Sequence, residues 1–183
     1  MRSRTKPKPR PPLGCATLTE LALAYVGRFA TTRSKLRTYL ARKIRERGWD
    51  DGPAADLDAL TERFAEQGYV DDAAYALSKS RSLTARGYGL RRVDQSLHGA
   101  GVDPADAASA QDFARSAAVE SALRFAERRH LGPFSKQVAD RHMRERALGA
   151  MIRAGHGFAL ARAILDLPSG AEIDLEQLSE HSG

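Results

Sequence analysis

Five histidines, one cysteine and two pairs of aspartates are the residues with most chemistry to offer, and their spacing assembles little of it. His98, His130, His142, His156 and His181 are scattered and form neither an HExxH pair nor a Cys/His ligand set, so no metal centre is expected. Asp94 and His98 stand four residues apart, a helical spacing that could support acid–base work, but no nucleophile or third partner accompanies them and they read as a surface pair. Asp50-Asp51 and Asp71-Asp72 could hold magnesium as paired carboxylates; each pair stands where a helix begins, so capping accounts for them. Gly87-Tyr88-Gly89 lacks the Gly-Lys-Ser/Thr end and the preceding strand of a phosphate loop, and reads as a turn. Cys15, the single cysteine, has no second thiol for a disulfide or a metal and reads as an inert surface thiol of a cytoplasmic protein. With no nucleophile elbow, ligand cluster or nucleotide fingerprint, the expectation is a protein with no catalytic residues and no cofactor, one that works by binding.

The chemistry that does recur is cationic. Lys35, Arg42 and Arg45, then Lys79, Arg86, Arg91 and Arg92, then Arg146 and Arg153 fall on the polar sides of successive helical stretches, where they can meet phosphates or acidic side chains. The net charge of +6 hides a segregation of sign. Residues 1–48 carry 13 Lys/Arg against 2 Asp/Glu, 49–75 carry 1 against 8, 76–101 carry 5 against 1, and 114–167 carry 10 against 5. Such blocks orient a molecule on a polyanion. Aromatic residues make up 7% of the chain, and Tyr88 beside Arg86 is the one that looks exposed enough to stack on a base. Sequence-tolerant binding of a nucleic-acid backbone, or of a protein coating it, is therefore favoured over base readout.

The elements that must carry these cations are helices. Leu18, Leu21, Ala22, Tyr25 and Phe29 share a helical face; Leu36, Leu40 and Ile44 stripe a second helix that Thr31 or Thr32 can cap and Gly48 can end; Leu57, Leu60 and Phe64 mark a third, ending at Gly68. The plan then returns, with helices from Asp71 or Asp72 to about Ala85, from Leu90 towards Gly101, after Asp103-Pro104, over about Ala117–Arg129, over Asp140–Ala154 and over Phe158–Leu167. No stretch alternates as a strand would, and none offers the roughly 18 apolar residues of a membrane span. The basic start MRSRTKPKPR has no apolar region behind it, so neither export nor membrane insertion is expected.

One pattern orders the helices. Leu40-Ile44-Gly48, Val93-Leu97-Gly101 and Ala147-Met151-Gly155 repeat at 53 and 54 residues, as tandem copies of one three-helix unit would. The expected organisation is a disordered basic tail over 1–14, repeats over 15–68, 69–113 and 114–167, and an acidic tail over 168–183.

The chain resembles the RecX family, bacterial regulators of the RecA recombinase. The resemblance spans about residues 18–167. Its middle part is Gly68-Tyr69-Val70-Asp71-Asp72, Tyr75-Ala76, Ser80-Arg81, Arg86-Gly87-Tyr88-Gly89, Arg91-Arg92 and Leu97 leading to Gly101-Val102. Ala22-Leu23-Ala24-Tyr25 and Arg33-Ser34-Lys35-Leu36 precede it; Arg128-Arg129-His130-Leu131-Gly132-Pro133-Phe134 and Ala150-Met151-Ile152-Arg153-Ala154-Gly155 follow. The resemblance implies an elongated, curved array of three-helix units, a monomer, that lies in the groove of a RecA filament on single-stranded DNA and restrains its ATPase, strand exchange and extension. It also implies contact roles for Arg81, Arg86, Arg91 and Arg92 and packing roles for Tyr75 and Leu97. The chain departs from the family at Ala100, where a basic residue is common, and at His156, where phenylalanine is usual. The first shortens the expected contact strip and the second bears on the packing of the last helix. Two other readings remain open: a helix-turn-helix DNA-binding transcriptional regulator, and an adaptor for structured RNA or the ribosome.

Overall fold

The computed structural model describes residues 11–136 and 140–182; the expected basic tail lies largely outside them, in residues 1–10. Ten α-helices and no strand occur among the described residues, as the helical periodicity predicts. No described helix is long and apolar enough to cross a membrane. The chain divides into two compact units, residues 1–71 and 72–183.

The first unit holds α1 (Cys15–Val26), α2 (Arg33–Arg47) and α3 (Leu57–Glu66). Leu18, Ala22, Leu36, Leu40, Leu60 and Phe64 close its core, the residues that the i, i+3, i+4 stripes select. Thr32 caps α2 by accepting from the Lys35 amide at 3.1 Å. Three local expectations fail here. Asp50-Asp51 does not cap the helix that follows: Asp56 accepts from the Ala59 amide at 2.9 Å and caps α3 itself. Asp51 instead turns back to accept from the Cys15 amide at 2.8 Å, satisfying an orphan donor at the start of α1. Composition groups residues 11–14 with the basic tail, yet Leu13 is fully buried and pairs with the chain around Trp49 through Leu13 N–H to Gly48 O, 2.9 Å. Leu13 belongs to the core of the first unit, and burial of that one side chain fixes the segment. Phe29, expected on the buried stripe of α1, lies past the helix end at Val26 and is 56% exposed.

The second unit holds α4 (Asp72–Ala85), α5 (Leu90–Gly99), α6 (Pro104–Ser116), α7 (Ala118–Arg128), α8 (Arg141–Arg153), α9 (Phe158–Asp166) and α10 (Leu175–Ser179). Its buried residues form two clusters. Ala76, Leu83, Val93, Leu97 and the alanine face Ala107, Ala110, Ala114 belong to α4, α5 and α6. Those small side chains let α4 and α6 approach closely, and the buried Ser80 hydroxyl donates to the Ala110 carbonyl at 2.7 Å. Ala122, Phe125, Met151, Leu160 and Ile164 belong to α7, α8 and α9. Tyr75 and Leu97 pack on the first cluster. Ala100 is buried in it too, so this position serves packing here.

Gly48, Gly101 and Gly155, the repeat glycines, all sit at left-handed φ of 86, 66 and 97° just past a helix, the conformation that favours glycine. After Gly101 and Gly155 the next amide closes on the helix, Val102 N–H to Leu97 O at 3.1 Å and His156 N–H to Met151 O at 3.2 Å. Residues 168–183, expected as an acidic tail, contain α10, whose Leu178 is buried in the cluster of α7, α8 and α9, on which Ile173 also packs.

Candidate functional site

The turn between α4 and α5 is where expected cations meet. Arg86-Gly87-Tyr88-Gly89 is pressed between α7 and the turn joining α8 to α9. Gly89 N–H donates to Ala154 O at 3.0 Å and Arg91 N–H to Gly155 O at 3.2 Å. A Cβ on Gly89 would fall 2.4 Å from the Gly155 carbonyl oxygen, and one on Gly87 3.0 Å from the Phe125 amide nitrogen. Glycine at both positions permits backbone to meet backbone. The residues chosen for turn chemistry thus also serve as a packing joint.

Tyr88 fills that joint. Its ring is half-buried and packs on both hydrophobic clusters of the unit, so it is a core residue and not the exposed stacking platform its sequence position suggests. The guanidinium of Arg86 lies 5.5 Å and that of Arg92 6.0 Å from its centroid. From α7, Arg128 donates to the Arg86 carbonyl at 2.5 Å, and Arg128 and Arg129 both stand 5.7 Å from the Phe125 ring. Four exposed arginines therefore surround one turn, and among the described residues no carboxylate lies within ion-pair distance of any of them. Besides the Tyr88 ring, Arg92 meets the side-chain amide oxygen of Gln95, to which it donates at 2.7 Å. Such a cluster, with its stems held on aromatic faces, is pre-organised for an anionic ligand.

The joint is locked by His156. Its ring is buried, tilts against Phe125 at 5.6 Å between centroids, and brings Nε2 to 3.1 Å from the Gly87 carbonyl. A carbonyl only accepts, so Nε2 carries the proton and donates. Burial holds the imidazole neutral, its pKa pushed down to about 4 against the smaller upward pull of that carbonyl. Histidine here thus packs against an aromatic ring of α7 and adds a polar tie.

The remaining expected cations are distributed. Arg91 is exposed beside the cluster, Arg81 stands 5.5 Å over the Phe113 ring, and Lys79 is half-buried on α4. Arg146 and Arg153 are exposed on α8. In the first unit Lys35, Arg42 and Arg45 lie along α2, Arg42 pairing with Glu46 at 3.7 Å. Sequence reasoning did not place Arg128 and Arg129 in this cluster; two adjacent arginines closing a helix were the available signal. The acid–base pair does not form, since Asp94 accepts from Gln111 at 3.0 Å. Among the described residues no three His, Cys, Asp or Glu gather as a metal site. Cys15 is exposed, and its hydrogen bond with Asp51 pushes the thiol pKa up, away from the reactive thiolate.

No protein-family model matches the sequence. Curated relatives decide the matter: the chain is 36% identical over 158 residues to the regulatory protein RecX of Myxococcus xanthus, covering 81% of this chain and 84% of that one. The chain belongs to the RecX family. The RecX protein of Thermobifida fusca is 30% identical over 177 residues, covering 93% of this chain and 94% of its own. The fold agrees. The crystal structure of RecX from Lactobacillus salivarius superposes with a TM-score of 0.65 at 17% identity, covering 81% of this chain and 92% of that one. A second RecX crystal structure gives 0.64 at 19%, covering 82% and 70%. As a RecX regulatory protein, the chain is not an enzyme.

Proposed function

We propose that this protein is a cytoplasmic, monomeric modulator of RecA recombinase that binds RecA filaments on single-stranded DNA and lowers their ATPase, strand-exchange and extension activities. The observation that carries the reading is the cluster of Arg86, Arg92, Arg128 and Arg129 without carboxylate partners, in a chain of the RecX family. A recombinase filament on DNA offers acidic side chains and phosphates along its length, and guanidinium groups fixed on rings can meet either. The contact residues are these four with Lys79, Arg81, Arg91, Arg146 and Arg153 in the second unit, and Lys35, Arg42 and Arg45 in the first. The three clusters of buried residues are read as three tandem three-helix modules. Adding the purified chain to RecA, single-stranded DNA and ATP should lower ATP hydrolysis at well below one chain per recombinase subunit. Unchanged hydrolysis with folded protein present would overturn the reading.

A further inference from the structure

The first unit carries a surface feature that the arginine cluster does not explain. Tyr25 of α1 and Tyr39 of α2 stack with centroids 4.2 Å apart and planes 17° from parallel, and Phe29 tilts against Tyr25 at 5.3 Å. Both tyrosines are half-buried, whereas Phe29 presents its ring to solvent with 56% of its surface exposed. Cations flank the rings: Arg42 and Lys43 stand 5.7 and 5.8 Å from the Tyr39 centroid, and Arg28 adjoins Phe29, exposed and in no ion pair among the described residues. Glu46 is the one carboxylate within ion-pair distance of Arg42 or Lys43 among the described residues, and it serves both. The patch therefore keeps a net positive charge next to an open aromatic face.

We infer that this patch is a stacking platform for single-stranded nucleic acid, with one base on Phe29 and the flanking phosphates on Arg28, Arg42 and Lys43. The chemistry of the surface selects that occupant. Every nucleobase has a π-face with a phosphate a few ångströms away, which matches a ring bordered by cations. A duplex hides its base faces, so the platform takes single strands. Phe29 has no polar group with which to read a base edge, so binding is tolerant of sequence. An acidic protein segment would satisfy the cations but leave the ring unused. The inference stands on the first unit alone and needs no recombinase.

The test measures affinity of the full chain for fluorescein-labelled dT20 and for an abasic 20-mer of the same charge. Wild type is expected to bind dT20 about tenfold more tightly than the abasic strand. Phe29→Ala and Phe29→Leu, at an exposed position outside the core, should remove that preference without changing abasic binding or the melting temperature, and Phe29→Trp should keep it. Equal affinity of wild type for the two strands, or an equal loss on both in the Phe29 variants, would overturn the inference and leave the patch to a protein partner.

Discussion

His156 Nε2 lies 3.1 Å from the carbonyl oxygen of Gly87, 69 residues earlier in the chain, and this contact ties the α8–α9 turn to the turn that carries Arg86. The imidazole must stay neutral to remain buried. With a pKa of about 4 in the fold and 6.5 when unfolded, the unfolded chain binds the extra proton between those values. Stability contributed by the neutral ring is therefore complete above about pH 6.5 and is lost as pH falls towards 4, by up to about 3 kcal/mol. Urea titrations across that range should show the slope, and His156→Phe should flatten it. A slope that persists in the variant would place the titrating group elsewhere.

Gly89 and Gly155 should tolerate no side chain. Gly89→Ala drives a Cβ into the Gly155 carbonyl, and Gly155→Ala meets the Arg92 amide at 2.5 Å from a left-handed backbone. Each should cost about 2 kcal/mol or more. Gly99→Ala, in the last turn of α5 with nothing within 4 Å of the added carbon, should be neutral or stabilising by up to about 1 kcal/mol. Chemical denaturation of the three variants checks the contrast, which equal effects would contradict.

Leu178 distinguishes a docked helix from a solvated tail. Its side chain is buried against α7 and α9, so Leu178→Ala should lower stability by about 2 kcal/mol and speed amide exchange in α7 and α10. Unchanged stability would mean that residues 168–183 behave as composition alone suggests.

Much of this was legible in the sequence because local rules and packing agree. The stripes Leu36–Leu40 and Val93–Leu97, the caps Thr32 and Asp103 and the glycines at 48, 101 and 155 each carry their own signal. What escaped depended on contacts between distant residues. Asp51 caps a helix 36 residues before it, Leu13 is anchored by the chain at Gly48, and Tyr88 is drawn inward because two clusters meet on it. The basic cluster was half legible: Arg86 and Arg92 announce themselves beside the turn, whereas Arg128 and Arg129 join them only once α7 packs against it.

Charge reversal should separate binding from folding. Arg86→Glu with Arg92→Glu alters exposed side chains that have no carboxylate partner, so the melting temperature should hold, as surface changes usually allow. Inhibition of RecA ATP hydrolysis should weaken about tenfold, and that difference should shrink as salt is raised. Full inhibition by the double variant would remove the turn from the contact surface.

The most direct measurement is electron microscopy of RecA filaments assembled with ATP on long single-stranded DNA, with and without the chain. Filaments markedly shorter with wild type, and of normal length with the Arg86/Arg92 double variant, are the result expected. Filaments of unchanged length and appearance in the presence of excess folded wild-type protein would contradict it.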